Sequence, residues 1–239
     1  MASRDITFGT KEAPGLKETF DWMADRYLAQ TELVSRGHYR EWMDHVARLV
    51  MRFRPESVVD VGCGPGFLLS RLQRVLPGVT LLGVDYAPRM LAKVDASIPT
   101  ELADLEEWAQ HAGAHYDVIL LTFVLRDQPD PSKALRALRQ RLKPGGRVVV
   151  LETQTPAGWR QLGFDLYFHE WLPRWGQWAL TKDWPSGGGM APYSWLSHSH
   201  RAWMTAHPLP DAFYNNDYVD VKRHRPNTDV VMLWSARRP

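Results

Sequence analysis

Three glycines at alternate positions, Gly62, Gly64 and Gly66, follow a β-branched run that ends at Asp60. An apolar pattern typical of a helix begins directly afterwards, at Phe67. Glycine allows positive φ angles and lets another molecule approach the backbone closely. A tight turn from a strand into a helix also points free N–H groups at a ligand. The loop therefore predicts a nucleoside cofactor site, although its spacing departs from G-x-G-x-x-G and a plain strand-to-helix turn is the alternative.

A second residue with chemical meaning is Asp85, which ends the next β-branched run. In nucleotide-binding folds, an acid about 20 residues after the glycine loop, at the end of the second strand, binds the ribose hydroxyls. Asp85 lies close to that position. A carboxylate suits a cis-diol because it can accept two hydrogen bonds. An exposed acid at a strand end is the alternative interpretation.

The composition narrows the function classes. With 239 residues and a net charge of +2, the chain is expected to form one domain, or one domain with a lid, and it lacks a strong electrostatic footprint for nucleic acid. Cys63 is the single cysteine, which indicates a reducing, cytoplasmic setting without an intramolecular disulfide. We expect no metal, because no His, Cys and acid cluster has ligand spacing. The polar start of the sequence and the lack of long apolar runs favour neither a signal peptide nor a membrane span.

The elements that would position these residues alternate between strands and helices. Strands are predicted over residues 58–61, 80–84, 99–103, 117–122 and 147–151, and residues 218–223 and 229–235 would complete the sheet as an antiparallel edge. This order predicts an α/β fold with a doubly wound, seven-stranded, mostly parallel Rossmann-like sheet. Ligands of such sheets lie at the carboxyl ends of the strands. Residues 60–66, 85, 104, 122–127 and 152–153 fall at that edge.

Four regions follow from the pattern. Residues 1–54 would form an N-terminal helical cover, with helices over 16–34 and 39–53, and residues 55–156 the α/β core. Residues 157–210 are rich in tryptophan and would form a helical lid, with helices over 158–180 and 192–206 and a flexible Gly187–Gly189 loop between them. Residues 211–239 would supply the edge strands. The lid's aromatic side chains are expected either to hold a flat or isoprenoid substrate or to form ordinary core.

Several segments have a more specific pattern: residues 20–27 (FDWMADRY), residues 35–42 (SRGHYREW), Leu125-Arg126, residues 172–176 (LPRWG) and residues 193–199 (YSWLSHS). Together with the widely shared residues 142–146 (LKPGG) and Leu151-Glu152, they resemble the ubiquinone/menaquinone biosynthesis C-methyltransferases. These are class I methyltransferases that use S-adenosylmethionine (SAM). The resemblance covers most of the chain, and the N-terminal and lid segments are its specific part.

The chain departs from that family near the expected substrate. Leu28 and Thr31 stand where the family has Asp and Asn, and residues 124–127 (VLRD) replace Gly-Leu-Arg-Asn. The positions that are expected to bind the cofactor match those of the family. The substrate is therefore less certain from the sequence than the reaction type, and another hydroxylated aromatic compound or secondary metabolite is an alternative acceptor.

The resemblance implies SAM as the cofactor. It implies that Asp60 orients the methionine ammonium group or the loop, that Asp85 holds the ribose and that Asp104 holds the adenine amino group. The backbone from Gly62 to Gly66 would approach the methionyl and ribose parts. The remaining predicted cofactor residues are Cys63, Tyr86, Met90, Leu105 and Thr122.

Methyl transfer from SAM is an in-line displacement, so the acceptor atom must lie about 3 Å from the methyl group. A ring carbon ortho to a phenol becomes nucleophilic as the hydroxyl loses its proton, and the charged oxygen needs a cation or donor. Arg126 and Tyr27 are predicted to supply these, with Asp127 orienting Arg126 or acting through a water as base. A surface ion pair for Arg126 and plain packing for Tyr27 are the alternatives.

Three lid histidines, His169, His198 and His200, stay open as alternative general bases. The predicted substrate is a small aromatic or isoprenoid quinol of the demethylmenaquinone type, held by Phe20, Tyr167, Trp171, Tyr193 and His198. Rival functions are O- or N-methylation in secondary metabolism, another reaction on the same scaffold, and a non-catalytic SAM-binding regulatory protein. No nucleic-acid partner is expected, whereas a peripheral membrane contact, which tryptophan and tyrosine favour, and a homodimer are left open.

Overall fold

The structure is a computed structural model that describes residues 15–111, 113–185, 190–205 and 209–239. The predicted Gly187–Gly189 loop lies outside the described residues. The strands are β1 (Ser57–Val61), β2 (Thr80–Asp85), β3 (Thr100–Leu102), β4 (Tyr116–Thr122), β5 (Leu142–Thr153), β6 (Val219–His224) and β7 (Val231–Arg237). The helices are α1 (Leu16–Met23), α2 (Tyr27–Val34), α3 (Tyr39–Phe53), α4 (Phe67–Val75), α5 (Pro88–Leu91), α6 (Leu105–Gln110), α7 (Pro131–Gln140), α8 (Arg160–Asp165), α9 (Leu172–Ala179), α10 (Pro192–Thr205) and α11 (Leu209–Tyr214).

Within these ranges the seven strands form a single sheet in the order β3-β2-β1-β4-β5-β7-β6. Strands β1 to β5 are parallel to one another, and β7 is antiparallel to both β5 and β6. The chain moves outward from β1 through β2 to β3 and then returns to place β4 on the other side of β1. This reversal is the topological switch point at which doubly wound sheets bind ligands. The predicted fold class is confirmed.

The sheet is covered on both faces because successive side chains of a strand point to opposite sides. On β4, Val118 and Leu120 pack with α3 and α4, whereas Ile119 and Leu121 pack with α6, α7 and α11. Both sets are completely buried or nearly so. The central strands therefore read as continuous apolar runs rather than as alternating patterns, as expected for a buried parallel sheet.

The two C-terminal strands complete the sheet as the antiparallel edge that the sequence predicts. β7 lies between β5 and β6 and pairs with both. Because β7 is antiparallel to both neighbours, β6 runs in the same direction as the parallel strands. Residues 209–214 form α11, a helix that the apolar pattern did not reveal.

Strand β5 is longer than predicted. Residues 143–146 lie within the strand as an irregularity, since Leu142 pairs with Tyr116 and Arg147 pairs with Val118. Gly145 donates to the carbonyl of Arg238 (3.1 Å), and the amide of Arg238 donates to Gly146 (2.8 Å). The end of the chain therefore satisfies the backbone groups that a free turn would expose to water.

The predicted helix over residues 16–34 is divided into α1 and α2 by a turn in which Arg26 donates to the carbonyl of Met23 (2.9 Å). The turn makes Tyr27 the first residue of α2. Helix α1 is attached to α5, because the Asp21 carboxylate accepts from the amide of Arg89 (2.9 Å) and Asp25 forms an ion pair with the Arg89 guanidinium (2.7 Å). These contacts hold the N-terminal helices over the carboxyl ends of the strands.

The first lid helix is also interrupted. Residues Leu166–Trp171 between α8 and α9 are π-helical, and the amide of Leu172 donates to the carbonyl of Tyr167, five residues earlier. Pro173 follows directly, and proline cannot supply the amide that a regular helix would use there. No helix among the described residues is both long and apolar enough to span a bilayer.

Candidate active site

Two cavities meet at the carboxyl edge of the sheet. One, of about 480 Å³, lies over the glycine loop and the ends of β2 and β3. The other, of about 690 Å³, lies between the N-terminal helices and the lid. Phe20, Tyr27 and Phe123 contribute to the walls of both cavities. A ligand in one cavity would therefore be separated from a ligand in the other only by these side chains.

The glycine loop forms one wall of the smaller cavity. Gly62 has φ 75°, and its amide donates to the carbonyl of Val84 (2.7 Å). A Cβ atom at Gly62 would lie 2.4 Å from Cγ2 of Val124, so a side chain there would collide with the neighbouring strand end. Gly66 caps α4 with the same φ of 75°. The loop keeps bare backbone against the cavity, as the sequence pattern predicts.

Two carboxylates approach this cavity with hydrogen bonds that fix their orientation. Asp85 accepts from the amides of Gly64 (2.8 Å) and Ala87 (2.9 Å). Asp104 caps α6 by accepting from the amide of Glu107 (2.9 Å). A carboxylate has about four lone-pair sites, so Asp85 can still accept from two hydroxyl groups. This arrangement fits a ribose diol.

Asp60 is the buried acid beneath the loop. Its side chain is 1 % exposed, and neither carboxylate oxygen has a hydrogen-bond partner in the described part of the chain. Burial, together with the nearby Asp85 carboxylate, raises the pKa of Asp60 to about 7. A buried carboxylate without a partner is costly, and a cation from a ligand would relieve that cost. Asp60 lines neither cavity, so its role towards the cofactor's ammonium group stays a prediction.

Most of the predicted cofactor residues lie in the wall of the smaller cavity: Gly62, Gly64, Asp85, Tyr86, Met90, Asp104, Leu105 and Thr122. Cys63 and Gly66 lie in the loop but not in that wall. Burial raises the pKa of the Cys63 thiol, which therefore stays protonated. Residues Leu102, Ala103, Val124 and Gln128 line the cavity without having been predicted.

Arg126 lies at the inner end of the larger cavity. It is 7 % exposed and pairs with Glu152, which is completely buried, at 2.8 Å between Nη1 and Oε1. Nη1 also donates to the carbonyl of Phe123, and Nε donates to the Ser199 hydroxyl, both at 3.3 Å. The described residues offer Nη2 no hydrogen-bond partner, so it is left for a ligand in the cavity.

Asp127 stands on the other side of this guanidinium, with its Oδ1 at 3.7 Å from Nε of Arg126. Trp195 Nε1 donates to the same oxygen at 3.2 Å. Burial raises the pKa of Asp127 to about 6, although the Arg126 charge opposes this shift. Burial lowers the pKa of Arg126, but Asp127 and Glu152 together raise it above the ordinary value, so the guanidinium stays charged. Asp127 lines the cofactor-side cavity, whereas Arg126 lines the larger one.

Tyr27 and Phe123 form the partition between the cavities. Desolvation raises the pKa of Tyr27 to about 12, so its hydroxyl remains a hydrogen-bond donor at neutral pH. Phe123 has φ 62°, a left-handed conformation that is rare for residues with a side chain. Its amide donates to the carbonyl of Leu151 (2.8 Å), which fixes the backbone at this point. Such strain is typical of functional positions.

Of the predicted substrate residues, Phe20, Tyr167 and Tyr193 line the larger cavity. Tyr193 is 4 % exposed, and its hydroxyl has no hydrogen-bond partner among the residues described. Trp171 lies outside this cavity, 47 % exposed, and stacks on Trp175 at 4.7 Å between ring centroids. His198 is half-buried on α10 and also lies outside the cavity wall.

Two of the lid histidines, His169 and His200, line neither cavity and are held by hydrogen bonds. His200 is completely buried, and its two ring nitrogens lie 3.1 Å from the hydroxyls of Thr153 and Thr155. Burial first, and then the neighbouring His169, lowers the pKa of His200 to about 3. Nδ1 of His169 lies 2.8 Å from the Ser197 hydroxyl. A histidine with such a low pKa and no free nitrogen is a poor general base.

Glu152, Ser199 and Phe123 belong to the Arg126 cluster but were not predicted as site residues. The sequence could have indicated Glu152 as a site residue, since an acid directly after a central strand lies at the edge of the sheet where ligands bind. Ser199 and Phe123 carried none, because their roles depend on how the lid packs and on a left-handed backbone. Among the residues that the structure describes, no group of three or more His, Cys, Asp and Glu could hold a metal ion.

The sequence matches the family described as "Methyltransferase domain" over residues 34–222. Demethylmenaquinone methyltransferase of Thermus thermophilus is 32 % identical over 202 residues, which are 81 % of this chain and 86 % of that protein. Ubiquinone/menaquinone biosynthesis C-methyltransferase UbiE of Desulfotalea psychrophila is 26 % identical over 220 residues, with 90 % of this chain and 86 % of that protein covered.

Similar solved structures support the fold. The plantazolicin methyltransferase BamL, solved with a substrate analogue and SAH, superposes with a TM-score of 0.64 at 11 % identity and covers 95 % of this chain and 96 % of its own. Human N-acetylserotonin methyltransferase, solved with SAM, gives a TM-score of 0.56 at 13 % identity, with 95 % of this chain and 63 % of that chain covered.

Asp60 generates a testable prediction. The ionised carboxylate of Asp60 destabilises the fold of the cofactor-free protein at any pH above the ordinary pKa of an aspartate. Replacing Asp60 with asparagine removes that charge. The raised pKa means that Asp60 weakens the fold as pH rises from about 4 to about 7. We therefore expect Asp60→Asn to raise the thermal midpoint of the cofactor-free protein at pH 8 by about 3 °C or more.

The same variant should bind SAM at least about tenfold more weakly, because the ammonium group loses its charged partner. Calorimetry at pH 6 and pH 8 gives the affinities, with Asp95→Asn as a control at an exposed acid that lines neither cavity. Wild-type affinity should rise with pH across this range, since ionised Asp60 is the binding form. An unchanged affinity in Asp60→Asn would contradict the assignment.

Proposed function

Because this chain belongs to the methyltransferase domain family and is a SAM-dependent methyltransferase, we propose that it transfers the methyl group to a ring carbon of a hydroxylated aromatic compound. The proposed acceptor is a quinol of the demethylmenaquinone type. The names of the two relatives support this acceptor, and the walls of the larger cavity are compatible with it.

The observation that carries the proposal is the guanidinium of Arg126 at the inner end of an aromatic cavity. Phe20, Tyr167 and Tyr193 offer flat apolar surfaces, and Arg126 presents an unpaired Nη2 next to the partition with the cofactor cavity. A flat molecule with an ionisable oxygen complements both features. The oxygen would face Arg126 and the neighbouring ring carbon would face the partition.

When bound, SAM supplies a methyl group on a positively charged sulfur. The residues of the chain have the task of making the acceptor carbon nucleophilic and placing it. Arg126 favours loss of the phenol proton, which passes through a water to Asp127, because the guanidinium stabilises the negative oxygen in a site of low dielectric constant. Tyr27, with its hydroxyl protonated, donates a second hydrogen bond to that oxygen. Asp127 and Glu152 hold the guanidinium in the required orientation. After the ring carbon has accepted the methyl group, the hydrogen on that carbon leaves as a proton to solvent.

O-methylation is the main competing reaction, and the cavity does not exclude it by size. Product analysis distinguishes the two reactions. We expect incubation with SAM and a reduced naphthoquinone that has a free ring carbon next to its hydroxyl to give a C-methylated product by NMR. A methyl ether as the main product would overturn the proposed acceptor atom, and no methylated product would overturn the substrate class.

Arg126 should be needed for turnover and not for cofactor binding. We expect Arg126→Ala to lower kcat about a thousandfold, since it removes the charge that stabilises the phenolate. Its affinity for SAM should stay within about threefold of the wild type. Arg126→Lys should recover part of the rate, because it keeps the charge but not the fork of donors. The exposed Arg74→Ala serves as the control.

Removal of the Arg126 side chain alone leaves the buried Glu152 without a charged partner, which destabilises folded proteins strongly. A double variant, Arg126→Gln with Glu152→Gln, avoids that charge and keeps hydrogen-bonding groups in place. It should fold and bind SAM, and turnover should remain low. Wild-type turnover in either variant would remove Arg126 from the mechanism.

We further propose that the outer face of the lid contacts a lipid bilayer. Trp159, Leu162, Leu166 and Trp178 are between 56 and 86 % exposed, and Phe164 and Tyr167 of the same helical segment line the larger cavity. Apolar patches of this kind mark interaction surfaces, and tryptophan favours the membrane interface. Arg160 and Arg174 of the lid form ion pairs with Asp229 and Glu170, so the apolar side chains carry the proposed contact. An isoprenoid substrate would then enter from the membrane.

Sedimentation with vesicles of phosphatidylglycerol and phosphatidylcholine tests this contact. We expect wild-type protein to bind, and the double variant Trp159→Ser with Trp178→Ser to bind about tenfold more weakly, because it loses two large apolar side chains. Tyr214→Ser, at an equally exposed aromatic residue outside the lid, should bind like the wild type. Equal binding of the lid variant, or no binding of the wild type, would contradict the contact.

A further inference from the structure

Helix α10 of the lid places polar side chains against the ends of β4 and β5. Trp195 donates to Asp127, Ser199 accepts from Arg126, and His200 lies between two threonine hydroxyls. His200 does not line either cavity, yet it is a completely buried polar group on the inner side of a mostly aromatic lid. Burial of an imidazole is costly unless each nitrogen has a hydrogen-bond partner.

The hydrogen bonds around His200 form a continuous chain to Arg126. Thr155 Oγ1 lies 3.1 Å from Nε2, and Thr153 Oγ1 lies 3.1 Å from Nδ1. The Thr153 hydroxyl is 3.3 Å from Oε1 of Glu152, which also accepts from the Thr153 amide at 2.9 Å. Oε1 is the same oxygen that accepts from Nη1 of Arg126 at 2.8 Å.

The direction of each hydrogen bond in this chain follows from Glu152. An ionised carboxylate only accepts, so the single hydroxyl hydrogen of Thr153 points to Oε1. Thr153 Oγ1 must then accept from Nδ1–H of His200. A neutral imidazole carries one proton, so Nε2 accepts the hydroxyl hydrogen of Thr155. For a neutral His200, the geometry thus defines the tautomer.

We propose that His200, as the neutral tautomer protonated on Nδ1, is a positioning residue that fixes Glu152 through Thr153 and thereby aims Nη2 of Arg126 into the larger cavity. The residue acts through others and touches no reacting atom. The claim about catalysis rests on the proposed function of Arg126. The claim about the tautomer and the order of the hydrogen-bond chain does not.

The surroundings of His200 favour the neutral form. Its ring centroid lies 5.2 Å from His169 and 5.0 Å from Phe168, and Arg126 and Arg201 are the nearby cations. Protonation would change the Thr155 hydroxyl from donor to acceptor and would place a positive imidazole near both of these positive charges. The neutral ring instead packs among aromatic side chains, and it donates only one hydrogen bond, from Nδ1 to Thr153.

NMR of the ¹⁵N-labelled, SAH-bound protein tests the tautomer without any substrate. We expect the His200 side chain to show a protonated Nδ1 and an unprotonated Nε2 that do not change between pH 6 and pH 8. The Nε–H signal of Arg126 should be visible and slow to exchange, because its donors are buried and fixed. Protonation on Nε2, or on both nitrogens, would overturn the proposal.

His200→Leu separates positioning from a merely structural role. Leucine can pack between Phe164 and Phe168, so the thermal midpoint should be unchanged or higher. Nevertheless, the Arg126 Nε–H signal should broaden, and kcat with the reduced naphthoquinone should fall about tenfold to a hundredfold, since small misplacements of a catalytic group have effects of that size. KM and SAM affinity should remain within twofold.

His200→Asn restores a donor near the Nδ1 position and should recover most of the rate. Thr181→Val, which removes a buried lid hydroxyl that bonds only to the Gly176 carbonyl, is the matched control and should behave like the wild type. Unchanged kcat and an unchanged Arg126 signal in His200→Leu would overturn the proposal. If the wild type does not methylate the naphthoquinol, the proposed function fails, and the NMR signals of His200 and Arg126 still decide this inference.

Discussion

A guanidinium group buried between two carboxylates sets the main physical constraint on this molecule. Arg126 is 7 % exposed, and burial of an unpaired charge costs several kcal/mol or more. Its partners come from three parts of the chain: Asp127 beside it, Glu152 at the end of β5 and Ser199 on α10. The charge is tolerable only when the sheet edge and the lid are assembled together. The lid is therefore part of the site and not a separate cover.

The sheet topology brings these groups together because all parallel strands end at the same edge. The chain reverses direction between β1 and β4, which leaves a crevice between the glycine loop and the end of β4. Gly62 has no room for a side chain because Val124 fills the space beside it. Gly62 and Val124 are thus in close contact. This contact leaves the loop backbone open to a cofactor on one side and fixes the end of β4, next to Arg126, on the other.

Local patterns were sufficient for much of this arrangement. The β-branched runs, the alternate glycines and the acids at strand ends predicted the order of elements and most of the smaller cavity's wall, because backbone preference and sheet periodicity are short-range properties. The antiparallel edge was confirmed, although a hairpin sequence does not say which of its two strands lies next to β5. The single helix over residues 16–34 was wrong, since apolar spacing continues across the turn at Ala24–Arg26.

The polar cluster behind Arg126 was beyond prediction for a different reason. Glu152 and His200 are 48 residues apart in sequence, and their link through Thr153 exists only when α10 packs on β5. His200 looked like a candidate base because histidine titrates near neutrality, and only its burial reveals a neutral side chain with both nitrogens occupied. Polar networks of this kind depend on three-dimensional complementarity, which no local pattern encodes.

Charge also limits which acceptors suit the larger cavity. Methyl transfer from a sulfonium to a phenolate joins opposite charges and leaves two neutral molecules, which an apolar cavity favours. Methyl transfer to a neutral amine would instead leave a cation beside Arg126, which is already a fixed positive charge. Asp127 cannot offset both cations, because it already faces Arg126 and accepts from Trp195. The buried arginine therefore supports an acceptor that becomes an anion over one that becomes a cation.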